Sequence, residues 1–170
     1  MSNDNDREQA RAHLWEKIKD IKFGMLTTHG PDSHILRSRP MTNQQVAFDG
    51  QLWFFSAEDS HACVDIRQHP SVNVSYANPD DNVYISVSGK AEVVRDPAKA
   101  KELWNPLYKA WFPGGLDDPK LVLIRIQVDE AEYWDAASGA MTQLFSFFKS
   151  LFGGDGRDTP TAEHEKVMHP

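Results

Sequence analysis

The architecture of this chain is most apparent in FGMLTTHGPDSHILRSRPM, residues 23–41. Two runs of strand-forming residues flank a Gly-Pro-Asp turn sequence, and this order predicts an antiparallel hairpin. Arg37 and Arg39 lie two positions apart in the second run, so a strand places both guanidinium groups on one face. The pair suits either a solvent-exposed face of the hairpin or an anion clamp, because paired guanidinium groups match phosphate oxygens.

Four later runs of β-branched and aromatic residues extend this pattern beyond the hairpin. The helical segments between them are too sparse for a parallel sheet, in which a helix separates successive strands. The sequence therefore predicts a mainly β fold, a six-stranded antiparallel barrel that is either closed or split. The further predicted strands are QLWFFSA (51–57), SVNVSYAN (71–78), VYISVSGKAEVVR (83–95) and LVLIRIQVDEAEYWD (121–135).

Helices are predicted at both ends of the barrel and between its strands. The first has apolar residues at spacings of three and four, with Asp4 or Asp6 as its N-cap. The third is interrupted by Pro106, which must kink or split it. The chain is interpreted as one domain, 1–152, followed by a polar tail, 153–170. The predicted helices cover residues 6–20, a segment within 59–70, residues 97 to about 111, and 142–152.

Composition and motifs argue against several classes of function. The net charge of −7 and pI near 5.4 are unsuited to a nucleic-acid surface. There is no apolar run of about 18 residues and no charged-then-apolar leader, so neither a membrane span nor a signal peptide is expected. The usual nucleotide-binding motifs and the G-x-S-x-G hydrolase motif are absent. A single cysteine, Cys63, excludes an intrachain disulfide and agrees with a reducing cytoplasm.

Polar residues after the third predicted strand form a candidate phosphate site with the arginine pair. Ser60 stands at a helix start, where unpaired N–H groups favour anions, and Ser56 and His61 are close to it in sequence. Ordinary helix capping explains Ser60 equally well. The seven histidines show no H-x-x-x-H spacing on a helix, so no metal site is predicted. Cys63 falls on the apolar side of the same helix and is expected to be buried and unreactive.

Two apolar segments, residues 104–112 and 144–152, exceed what a barrel of this size can cover. Their aromatic residues recur at helical spacing, which is typical of core or interface packing. Exposed apolar patches of this extent usually mark an interface between subunits. The sequence therefore predicts a homodimer.

Seven short motifs, taken together and in order, resemble one family. They are FGMLTTHG, SRPM, LWFFS, DS…IRQHPSVNVSYANP, YISVSGKAEVVRD, W…WFPGG and AEYWD, within residues 10 to about 165. In this order they are similar to the bacterial general stress proteins of the pyridoxamine 5′-phosphate oxidase-like group, the FMN-binding split barrels. The resemblance implies a six-stranded antiparallel split barrel that forms a homodimer with two flavin sites at its interface.

The resemblance also implies which residues hold the flavin. The family commonly has DSPK where this chain has DSHA, so Ala62 replaces the phosphate-binding lysine. His61 or the arginine pair would then supply the positive charge; otherwise FMN binds weakly or FAD is the flavin. The implied residues are Arg37, Ser38, Arg39, Pro40 and Met41 along the isoalloxazine, Phe54, Phe55 and Ser56 behind it, Ser60, His61 and Ala62 at the phosphate, and Trp134 from the second subunit.

Two functions of different classes follow from the resemblance. The first is an FMN-dependent oxidoreductase that accepts electrons from a small-molecule reductant. The second is a flavin-binding or stress-sensing module without turnover. Oxidation of pyridoxamine phosphate itself is not expected, because the tail lacks the basic residues that would bind the substrate phosphate. No catalytic residue is predicted.

Overall fold

The predicted hairpin is present in the structure, a computed structural model that describes residues 2–32, 34–45 and 47–135. Strand β1 (Phe23–His29) pairs antiparallel with β2 (Leu36–Thr42), with Leu26 opposite Arg39 and Thr28 opposite Arg37. A hydrogen bond from the Gly30 N–H to the Ile35 carbonyl, 2.6 Å long, closes the turn. Both arginines therefore lie on one face of β2, as the spacing predicted.

The remaining elements follow the predicted order closely. The predicted caps Asp4 and Asp6 are wrong, because the first helix already begins at Ser2 and both residues lie inside it. Pro106 splits the third helix, and a 3-10 helix, Pro106–Ala110, follows it. The predicted helix 142–152 and the tail 153–170 lie outside the described residues. The other elements are α1 (Ser2–Ile18), β3 (Gln51–Ala57), α2 (His61–Gln68), β4 (Ser71–Asn78), β5 (Val83–Val94), α3 (Pro97–Leu103) and β6 (Leu121–Asp135).

The six strands described form one antiparallel sheet in the order β2-β1-β4-β5-β6-β3. Strands β2 and β3 are its two edges, and the sheet curls so that the segment after β2 reaches β3. There Gln45 donates to the Gln51 carbonyl at 3.0 Å and accepts the Trp53 N–H at 2.9 Å, while Gln44 donates to the Trp53 carbonyl at 3.1 Å. The side-chain amides thus connect the segment after β2 to β3, where a closed barrel would have backbone hydrogen bonds between two strands. This confirms the predicted mainly β, six-stranded antiparallel split barrel.

The core lies inside the curl of the sheet, and two helices cover it. Alternate residues of each strand point inward, because successive side chains of a strand face opposite sides. From α1, Leu14 and Ile18 are fully buried, and α2 contributes Cys63 and Ile66. Since α2 packs on the inner face of the sheet, its polar residues lie close to the inward-facing residues of β1 and β2.

Candidate functional site

A groove of about 460 Å³ lies at the split of the barrel, where β2 and β3 face each other. Its volume falls within the range of small-molecule sites, about 300–1,000 Å³. None of the residues that line it carries a charge. They are Pro40, Met41 and Thr42 of β2, Phe55, Ser56 and Ala57 of β3, Tyr108, Trp111 and Phe112 from the 3-10 helix and its end, and Phe23 and Gln44 at the rim.

An aromatic cluster builds one wall of this groove. Phe55 lies 5.1 Å from Tyr108 and 5.7 Å from Trp104, measured between ring centroids. The chain continues to Trp111, whose ring centroid lies 6.3 Å from that of Tyr108. Trp111 is 70% exposed. Partial burial raises the pKa of Tyr108 above its usual value. The sequence predicted core or interface packing for residues 104–112, and of the aromatic residues there Tyr108, Trp111 and Phe112 line the groove.

A small hydroxyl and thiol cluster lies at the floor of the groove, beside the start of α2. The hydroxyls of Ser56 and Ser60 are 2.9 Å apart, and the Cys63 thiol donates to Ser56 at 3.6 Å. Ser60 caps α2 by accepting the Cys63 N–H at 3.2 Å. Because Ser56 lines the groove, this cluster connects the groove to a helix start, where backbone N–H groups favour anions. Cys63 is fully buried.

The arginine pair faces a buried acid that sequence reasoning did not identify. Asp65 of α2 is 1% exposed and accepts a hydrogen bond from Thr28 at 2.7 Å. Arg39 donates to the Thr28 hydroxyl at 2.7 Å and lies 3.4 Å from the Asp65 carboxylate. Arg37 is farther away, with its Nη2 atom 4.0 Å from Asp65 Oδ1. The sequence does contain an indication of this residue, because the charged Asp65 interrupts the apolar stripe of α2 between Cys63 and Ile66.

The environment of the two arginines differs. Burial lowers the pKa of Arg39, and Arg37 adds to this effect while Asp65 opposes it. The shift leaves Arg39 charged at neutral pH, since an arginine titrates far above that range. The guanidinium of Arg37 packs against Gly30, where a Cβ atom would lie 3.0 Å from its Nε. Arg37 is therefore at the hairpin turn, whereas Arg39 faces the middle of α2.

The residues implied by the resemblance occupy several places in the structure. Pro40, Met41, Phe55 and Ser56 line the groove, and Ser60 adjoins it through Ser56. Six other positions lie off the groove lining. Arg37 and Arg39 lie at Asp65. Ser38 is hydrogen-bonded to Thr27 at 2.7 Å on the outer face of the sheet. Phe54 and Ala62 are buried in the core, and His61 is exposed in the first turn of α2.

Trp134 lies several strands away from the β2 edge of the groove within the chain. It pairs with Tyr84 of β5, and Tyr84 pairs with Ala77 of β4. Next to Ala77, Tyr76 pairs with Gly24 of β1, and the neighbouring Phe23 lines the groove. Three strand spacings, or about 14 Å along the sheet, therefore separate Trp134 from Phe23.

The histidine and acidic side chains of the described residues do not gather at a possible metal position. Within residues 2–32, 34–45 and 47–135, no three His, Cys, Asp or Glu side chains are grouped so that they could hold a metal ion. Among the helices in the same part of the chain, none combines the length and apolarity needed to cross a membrane. His164 and His169, which the sequence analysis counted, lie outside the described residues.

Comparison with known proteins identifies the family. A family model described as pyridoxamine 5′-phosphate oxidase like matches residues 9–158. The chain belongs to this family. Among its relatives, the protein bli-3 of Neurospora crassa is 31% identical over 136 residues, in an alignment that covers 71% of this chain and 65% of bli-3. The chain thus spans slightly less than two thirds of the length of that relative.

Solved structures of the family share the fold described above. General stress protein 26 from Bacillus anthracis is similar with a TM-score of 0.62 and 30% identity, over 71% of this chain and 93% of that one. The general stress FMN/FAD binding protein from Xanthomonas citri is similar with a TM-score of 0.65 and 29% identity, over 75% of this chain and 89% of that one. These likenesses confirm the predicted resemblance to general stress proteins of the pyridoxamine 5′-phosphate oxidase-like group.

Proposed function

We propose that the protein binds FMN at the split of the barrel and uses it as a redox cofactor within a homodimer. The observation that carries this proposal is the uncharged, aromatic-walled groove that adjoins the capped start of α2. An apolar cleft with a few polar groups at one end matches a ligand that has a planar ring system and an anionic tail. The FMN/FAD binding described for the Xanthomonas citri relative supports a flavin as that ligand.

The groove suits the isoalloxazine ring in shape and chemistry. Phe55, Tyr108 and Trp111 offer aromatic faces and edges, which favour stacked or edge-on contact with another planar ring. The groove also runs along two sheet edges, where backbone groups without a strand partner can meet the polar edge of a ring. Pro40 supplies no N–H at this edge, so the polar contacts must come from its neighbours.

The start of α2 suits the ribityl phosphate. Ser56 and Ser60 present hydroxyl groups, and the N–H groups of the first turn add a favourable dipole. Arg39 is the half-buried cation on the neighbouring face of β2, and Ala62 stands where the resemblance implies a phosphate-binding lysine. When bound, FMN would supply hydride and single-electron transfer. The residues of this chain would bind and orient it and exclude water from one side of the ring.

A homodimer would bring Trp134 to the flavin. Within one subunit, about 14 Å of sheet separates Trp134 from Phe23 at the groove, so a second copy is the proposed route by which its indole would reach the flavin. The outer face of the sheet carries several exposed apolar side chains, which are suited to such an interface. They are Phe23, Met25, Leu36 and Tyr84, with Ile35 in the adjoining hairpin turn.

A flavin-binding module without turnover is the second candidate. One observation favours it: among the groove-lining residues described, Tyr108 is the only one with a titratable side chain. A reaction that needs a general acid or base would normally place a histidine or carboxylate there. Hydride transfer to a flavin does not require such a group from the protein, so both candidates agree with the groove.

The absorbance spectrum of the freshly purified protein tests the proposal directly. We expect flavin bands in the visible range, and chromatography of the released cofactor distinguishes FMN from FAD. Anaerobic addition of NADH or NADPH should then bleach these bands if the flavin is used in redox chemistry. Flavin bands that no reductant bleaches would favour the non-catalytic module. Failure to bind FMN, FAD or riboflavin at micromolar concentration would contradict both candidates.

A further inference from the structure

We propose that Asp65 is a built-in counter-ion of the arginine pair, which competes with the ligand phosphate for Arg39 and so sets the preference for FMN over riboflavin. This inference rests on the proposed function. It assigns a role in specificity to a buried residue of α2 that does not line the groove.

The contacts of Asp65 leave one side of its carboxylate incompletely paired. Its Oδ2 atom accepts from Thr28 at 2.7 Å and from Arg39 at 3.4 Å. Its Oδ1 atom is buried and has no hydrogen-bond partner among the described residues, and the Nη2 atom of Arg37 lies 4.0 Å from it. Both ion-pair distances exceed the 2.7–2.9 Å of a strong charge-assisted hydrogen bond. The carboxylate therefore neutralises the arginines without holding them tightly.

The position of Arg39 links this pair to the groove. Arg39 precedes Pro40, which lines the groove, and it faces α2, which carries both Asp65 and Cys63. The Cys63 thiol contacts Ser56, and Ser56 contacts Ser60. The two ends of this short helix segment thus connect Arg39, through Asp65, with the serine pair proposed for the phosphate, through Cys63.

The charges predict the direction of the effect. Two guanidinium groups and one carboxylate have a formal charge of +1. This charge attracts a phosphate, although Asp65 already neutralises part of the charge of the arginine pair. A phosphate must share Arg39 with Asp65, so part of the charge and hydrogen-bonding capacity of this guanidinium is unavailable to the ligand. Without the carboxylate, two partly buried guanidinium groups would lack a counter-charge, and the phosphate would become their principal partner.

The test compares FMN with riboflavin in the full-length protein. Asp65→Asn keeps the shape of the side chain and removes its charge. We expect the ratio of riboflavin Kd to FMN Kd to rise about tenfold or more, the value of one charge-assisted hydrogen bond. Glu92→Gln is the matched control, because Glu92 pairs with Arg125 on the surface and neither lines the groove. The control should leave the ratio unchanged.

A second measurement does not need a flavin. The flavin-free Asp65→Asn protein should melt at a lower temperature than wild type, and millimolar inorganic phosphate should raise its Tm more than that of wild type or Glu92→Gln. If Asp65→Asn fails to fold, Thr28→Val replaces it, because this change removes the hydroxyl that holds Arg39 against Asp65. Thr28→Val should move the FMN preference in the same direction by a smaller factor.

The outcomes separate this inference from the proposed function. If wild type binds FMN but neither variant raises the preference for it, Asp65 is a purely structural partner and the inference is wrong. A fall in the preference would show instead that Asp65 positions Arg39 for the phosphate, which also overturns the competition proposed here. If no flavin binds wild type, the proposed function fails. The response of Asp65→Asn to inorganic phosphate then still decides whether the arginine pair is an anion site restrained by Asp65.

Discussion

Arg39 joins a buried part of the molecule to the region proposed for the phosphate. Its spacing from Arg37 predicted that both side chains share a face, since the two-residue period of a strand is a local property. The same spacing could not predict Asp65, which lies 26 residues away and meets Arg39 only after α2 docks on the sheet. The local sequence pattern thus identified the two arginines, whereas only the tertiary fold shows that Asp65 is their partner.

Replacing Arg39 should destabilise the protein because it leaves a buried carboxylate without its closest charged partner. For Arg39→Met we expect the free energy of unfolding to fall by about 3 kcal/mol. Arg125→Met is the control, since Arg125 pairs with the exposed Glu92 and should cost less than about 1 kcal/mol. Urea denaturation of both flavin-free variants measures the difference. Equal losses for the two would contradict the importance assigned to the Asp65 pair.

Trp111 should contribute to flavin binding while contributing little to stability. It is 70% exposed and lines the groove, so Trp111→Ala removes an aromatic surface without opening the core. We expect FMN and riboflavin to weaken by the same factor, about two- to tenfold, because the ring and not the phosphate loses a contact. Leu107→Ala is the control, as Leu107 is 76% exposed on the same 3-10 helix and does not line the groove. Fluorescence titration would refute the expectation if both variants bind as wild type does.

The elements were largely predictable because their signals are local. Alternation of apolar residues located the strands, and Pro106 predicted the break in the third helix. The N-cap of α1 was misplaced because several acidic and polar residues precede the first apolar position, and each of them can begin a helix. The amide bridge to β3 could not be foreseen, because Gln44 and Gln45 find their partners only when the sheet curls.

Gln45 should be important for holding the split barrel together. Its buried amide bonds the Gln51 carbonyl and the Trp53 N–H, and Gln45→Leu would leave both backbone groups without these bonds. We expect the free energy of unfolding to fall by about 2 kcal/mol or more. Gln68→Leu, on the exposed side of α2, should change it by less than about 0.5 kcal/mol. A chemical-denaturation midpoint unchanged by Gln45→Leu would show that the curl does not depend on this bridge.

At the scale of the whole molecule, a group of exposed apolar side chains lies on the outer face of the sheet. The sequence predicted a homodimer from residues 104–112 and 144–152. Within the first segment, Tyr108 and Phe112 are buried whereas Leu107 and Trp111 are exposed, and the second lies outside the described residues. The outer face is a different apolar surface, and periodicity could not identify it because its residues come from several strands.

Charges placed on this face should separate the proposed dimer. Met25 and Leu36 are both exposed on the outer face of the hairpin, so the double change Met25→Glu and Leu36→Glu would bring four carboxylates into a two-fold interface. Light scattering should give about twice the 19.3 kDa chain mass for wild type and the single mass for the variant. Leu116→Glu, in the 3-10 turn Gly115–Asp117, is the control and should remain dimeric. A wild-type protein that is monomeric at micromolar concentration would contradict the proposal.

The opening between β2 and β3 also bears on how the protein avoids polymerising. Two sheet edges that do not pair with each other are templates onto which a foreign strand could add, the first step toward fibrils. Here Pro40 interrupts one edge, and the side-chain amides of Gln44 and Gln45 occupy backbone groups of the other. The barrel can therefore stay open to a small planar molecule while offering little to the extended backbone of another chain. Solubility and access to the groove would then depend on the same few residues.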